Sequence, residues 1–109
     1  MLKNKYGSII FSGATASLRG SAETYLLSTG KGGIRNLAQS LSKEYGPKGI
    51  HVSHVIIDGI VESDWSKKNI KTTLIKPDDI SETFYFLANQ PKTAWTFELD
   101  IRPFDETWN

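Results

Sequence analysis

The sequence predicts an α/β fold, three parallel strands joined by two main helices in the order β-α-β-α-β. Three observations predict it. Short apolar runs bounded by glycine or turn residues have the length of strands buried on both faces. Longer segments repeat their apolar residues every three or four positions, as helices do. The two patterns alternate along the chain, and right-handed crossovers make such an order a parallel sheet.

Each element has its own signal. Gly7 to Gly13 encloses Ile9, Ile10 and Phe11, a buried strand. From about Ala22 to Tyr45 the period is helical: Ile34, Leu37, Ala38, Leu41 and Tyr45 form one side, and Arg35, Gln39, Ser42 and Lys43 the other. Gly46-Pro47 ends that helix, the glycine in a left-handed cap and the proline unable to continue. A second buried strand is expected at His51–Ile57, followed by the turn Asp58-Gly59. Residues 60–76 have no clear period and read as a loop with room for a short helical turn. Pro77-Asp78-Asp79 opens the second helix, with acids where they favour its dipole and Ile80, Phe84, Leu87 and Ala88 toward the core. Trp95, Phe97, Leu99 and Ile101 then alternate with Thr96, Glu98 and Asp100, a strand with one wet face at a sheet edge.

Composition narrows the function classes. A chain of 109 residues makes one domain with a modest core. Hydrophobic residues at 39% and charged residues at 23% suit a soluble globular protein. A net charge of +1 gives no reason to expect nucleic acid or an anionic membrane as partner. No apolar run approaches the ~20 residues of a membrane span, and the first residues lack a signal peptide's apolar stretch. Cysteine is absent, which removes disulfides and thiolate metal sites and fits a reducing cytoplasm.

Few residues suggest chemistry. Gly13-Ala14-Thr15-Ala16-Ser17-Leu18-Arg19-Gly20 lies between strand and helix, where phosphate loops occur, but its glycine spacing is wrong for a dinucleotide turn. Ser28-Thr29-Gly30-Lys31-Gly32 is no Walker loop, because Gly32 stands where Ser or Thr would hold magnesium. His51 and His54 fall on opposite strand faces and cannot share a metal, so they read as polar positions on a partly exposed strand. Lys67, Lys68, Lys71 and Lys76 read as a solvated loop. Gly30, Gly32 and Gly33 each cost roughly 1 kcal/mol within a helix, so a close approach by backbone or ligand is expected there.

The segment Leu37-Ala38-Gln39-Ser40-Leu41-Ser42-Lys43-Glu44-Tyr45-Gly46-Pro47-Lys48-Gly49-Ile50-His51-Val52 resembles that of the short-chain dehydrogenases/reductases. There it runs from the active-site helix into the next strand. Gly7-Ser8-Ile9-Ile10-Phe11 and Ser17-Leu18-Arg19-Gly20 are similar to the preceding strand and loop. The resemblance implies a partial Rossmann-like fold, the C-terminal half of a dinucleotide-binding domain, and an oxidoreductase family that uses NAD or NADP. It also implies a Tyr-x-x-x-Lys motif, of which Lys31 matches the lysine while Leu27 stands in the tyrosine position. Ala14 stands in the catalytic serine position, and Tyr25 points about 200° away from position 27 on a helix. The Pro-Gly turn of the family becomes Ile57-Asp58 or Asp58-Gly59. Lys31, Asp58 and Gly59 are therefore what remains of a cofactor side, with Lys31 vestigial. The family's glycine-rich pyrophosphate turn and catalytic asparagine would lie before Met1.

Three readings follow. A truncated family member, inactive alone and binding no cofactor, is the first. A non-catalytic interaction or oligomerisation protein built on the same fold is the second. An enzyme using Lys31, Tyr25 and Asp58 is the third. A homodimer is expected, through the open edge at 7–13 or the helix at 22–45.

Overall fold

The computed structural model describes residues 1–108 and holds one parallel sheet in the order β1-β2-β3. β1 is Gly7–Ala14, β2 Ile50–Ile57 and β3 Glu98–Ile101; α1 is Tyr25–Tyr45, α2 Asp64–Asn69 and α3 Pro77–Ala88. β1 pairs with β2 from Gly7↔Ile50 to Ala14↔Ile57, and β2 with β3 from His54↔Glu98 to Ile57↔Ile101. The β-α-β-α-β order expected from the sequence is present, with α2 as the short helical turn in the 60–76 loop.

Pairing parity sorts the side chains of β2. Ile50 and Val52 pack with Ala38 of α1, and Ile9, Phe11, Leu41, Tyr45 and Phe97 close round them. Ala38 is fully buried where the helix meets the sheet. Leu87 of α3 is likewise fully buried.

Several expectations are corrected. α1 starts at Tyr25 rather than near Ala22, because Glu23 adopts a left-handed φ of 70° that no helix continues through. Gly46 does not make the left-handed cap; it is right-handed (φ −55°) and opens a 3-10 turn over Gly46–Lys48. Lacking a Cβ, it escapes the clash that usually bars this conformation before proline. Gly49 supplies the left-handed residue instead, at φ 93°, with the Lys5 carbonyl pressed where a Cβ would sit.

The last strand is only four residues long. Trp95 to Phe97 stay outside it, because side chains take the Thr96 backbone groups. Gln90 Oε1 accepts from the Thr96 N–H at 2.9 Å, and the Ser53 hydroxyl donates to the Thr96 carbonyl at 2.9 Å. His51 and His54 are not partly exposed; both are buried. His51 stacks on Trp95 with ring centroids 4.7 Å apart and lies 2.8 Å from the Thr96 carbonyl, which satisfies its polarity inside the fold. Within this chain nothing approaches the α1 glycines closely: nothing lies within 4 Å of a Cβ at Gly30 or Gly33, and only the Ser17 carbonyl, at 4.0 Å, near Gly32.

Candidate active site and cleft

Ala14 ends β1, and Asp58 and Gly59 follow β2 at the same end of the sheet, while α1 supplies Tyr25, which is exposed, with Leu27 and Lys31. Lys31 is half-buried and donates from Nζ to the Ser12 carbonyl at 3.0 Å. That bond ties the first turns of α1 to the end of β1, two residues before Ala14. Leu27 is half exposed on α1. Asp58 is buried at the end of β2, where its N–H donates to the Ile101 carbonyl at 2.8 Å and its Oδ2 accepts from Arg102 Nη2 at 2.8 Å. Gly59 packs beneath Pro103 and Ile75, whose atoms would lie 2.8 and 2.9 Å from a Cβ. Lys31 and Asp58 are thus held by separate internal partners.

A cleft of about 330 Å³ opens beside these ends, with Leu18, Arg19, Asp58, Asp100, Arg102 and Trp108 among its walls. Ala14, Leu27 and Lys31 do not line it. Beneath it lies a charged group that the sequence did not reveal. Glu98 accepts from Arg35 Nε at 2.7 Å, from Arg35 Nη2 at 3.1 Å and from His54 Nδ1 at 2.9 Å. Glu98 was expected on the wet face of the last strand, yet that face is where α1 packs and Arg35 reaches down. A histidine with its proton on Nδ1 donates to Glu98 and leaves a lone pair on Nε2, which is buried with no partner.

Arg35 holds the Glu98 carboxyl below the usual range, more than burial raises it, and His54 adds to the lowering. The same pairing raises the Arg35 guanidinium. A depressed carboxylate stabilises the fold fully above its unfolded value of about 4.3 and ceases to as pH falls through the folded value. Urea denaturation of the wild type should therefore show stability falling as the pH drops below the usual carboxylate range, and Glu98→Gln should flatten that fall. Equal pH slopes for the two proteins would contradict the assignment.

Comparison with known proteins decides the family. The family model for short chain dehydrogenase matches residues 1–74. The chain belongs to the short-chain dehydrogenase family. It is similar to 3-oxoacyl-[acyl-carrier-protein] reductase FabG of Chlamydia trachomatis, 32% identical over 111 residues, covering 91% of this chain and 44% of that protein. A short-chain dehydrogenase structure from Rhodopseudomonas palustris is 39% identical with a TM-score of 0.76, over 95% of this chain and 42% of that one. A serine dehydrogenase complexed with NADP+ shares the fold at a TM-score of 0.86 and 19% identity, over 99% of this chain and 48% of its own. The chain spans less than half the length of these relatives. The alignment expected from the helix-to-strand segment thus places this sheet within a short-chain dehydrogenase frame. Among the described residues, no helix is long and apolar enough to cross a membrane.

Proposed function

We propose that these 109 residues form a short-chain dehydrogenase frame, cytoplasmic in location, that does not transfer hydride by itself. Leu27 in the proton-donor position carries the reading, and Ala14 in the serine position supports it. Neither an alkyl group nor a methyl can protonate an alkoxide. The residues left for a cofactor do not fit NAD or NADP. Lys31 is turned to the Ser12 carbonyl, Asp58 is closed onto Arg102, and Gly59 lies under Pro103. A full-length relative would use NAD or NADP; this chain is expected to bind neither. Titration with NADH and NADPH, followed by nicotinamide fluorescence, should give no saturable change. A saturable rise in emission would overturn the reading.

Homodimerisation is part of the same proposal. Leu26, Gly30, Gly33 and Leu37 recur at spacings of four, three and four, which puts them on one face of α1. Leu26 is 79% exposed and Leu37 48%, with open space at both glycines. A second α1 can approach such a stripe closely, and two-fold pairing would be self-complementary. The outer edge of β1, paired only on its β2 side, is the other available surface. Sedimentation across a dilution series is expected to show a dimer that dissociates on dilution, and Leu26→Lys should shift it to monomer if α1 is the seam. A monomer at all micromolar concentrations would contradict the proposal.

A further inference from the structure

The cleft at the strand ends combines a charge pattern with an aromatic contact. Its acids are largely committed. Glu98 is held by Arg35 and His54, while Asp58 and Asp100 share one guanidinium, Arg102, at 2.8 and 2.7 Å. One cation between two carboxylates leaves that corner one negative charge in excess. Asp100 is the exposed member, with 41% of its side chain accessible. Arg19 also lines the cleft, and among the described residues it has no carboxylate within ion-pair distance. The cleft therefore offers one cation and one anion to a visitor. The same cleft holds a flat seat: the Trp108 ring centroid is 3.4 Å from the Arg102 guanidinium carbon. Trp108 is itself 75% exposed, so this contact is on a weakly held side chain and can be exchanged. Leu18, Ile56 and Leu99 supply apolar wall. The volume of about 330 Å³ is at the small end of ligand pockets.

We propose that the cleft binds an aromatic amino acid as its zwitterion. The ligand ring takes the place of the Trp108 indole on Arg102, its carboxylate pairs with Arg19, and its ammonium meets Asp100. Trp108 then acts as an internal competitor for the seat.

Titrating L-tryptophan into the ¹⁵N-labelled chain tests this by amide chemical shifts. Shifts are expected at Leu18, Arg19, Leu99 and Asp100, and in the Trp108 indole N–H as it leaves the seat. Tryptamine, which lacks the carboxylate, and indole-3-propionate, which lacks the ammonium, should each bind at least tenfold more weakly. Arg19→Gln should weaken L-tryptophan at least tenfold without altering its affinity for tryptamine. Trp108→Ala should bind L-tryptophan severalfold more tightly. Absence of shifts in the cleft, equal affinity for the three compounds, or weaker binding by Trp108→Ala would each overturn the proposal.

Discussion

Gly13→Ala is expected to destabilise the fold by about 3 kcal/mol, the upper part of the range for overpacking a core. The added Cβ would overlap His54 Nε2, lie 2.7 Å from His54 Cε1 and 2.9 Å from the Ser17 hydroxyl. None of these atoms gives way cheaply. His54 is fully buried, and its Nδ1 is bonded to Glu98, which Arg35 grips with two nitrogens. The Ser17 hydroxyl accepts from the Ala14 N–H at 3.0 Å and so fixes the turn after β1. One methyl group therefore disturbs the end of β1, the Glu98 network and that turn together. In a domain of this size the expected drop in Tm is roughly 12–20 °C. His54→Ala in the same background should remove most of the additional cost, because the obstructing ring is gone; a double-mutant cycle measures this coupling. A loss below about 0.5 kcal/mol for Gly13→Ala would show that the ring is not held as described.

The frame was legible because burial and period decide it. Ile9, Ile10 and Phe11 mark a strand, although β1 lies at the sheet edge and they are only partly buried rather than buried on both faces, and Ala38 and Leu41 fix which side of α1 meets the sheet. Lys31, Leu27 and Ala14 were singled out only through the family resemblance, since no local pattern marks them. What escaped notice depends on contacts distant in sequence. His51 and His54 look like exposed polar residues until Thr96 and Glu98 provide partners 45 and 44 residues away. Glu98 looks solvated for the same reason, because its partner Arg35 is 63 residues earlier. The shortened last strand depends on Gln90 and Ser53 competing for the Thr96 backbone, a choice that alternation alone does not record. Arg19 and Trp108 had no signal in sequence; only the fold brings them to one cleft.

The largest effect expected is on catalysis, where these 109 residues should show no NAD(P)-dependent turnover. Losing a positioned general acid alone costs about 10²–10⁴-fold, and losing the fixed geometry between nicotinamide and substrate costs more. On the proposed reading, Leu27 and Ala14 stand in the places of the acid and its serine partner, which leaves Lys31 no tyrosine to act on. Restoring both groups should not suffice: Leu27→Tyr with Ala14→Ser is expected to remain inactive, because Lys31 and Asp58 are still committed to Ser12 and Arg102. The direct measurement is absorbance at the reduced nicotinamide band, with NADH or NADPH and a panel of carbonyl substrates including 3-oxoacyl thioesters. The protein must be free of host dehydrogenases. A rate equal to the protein-free blank is the predicted result; steady consumption proportional to the concentration of this chain would contradict the account.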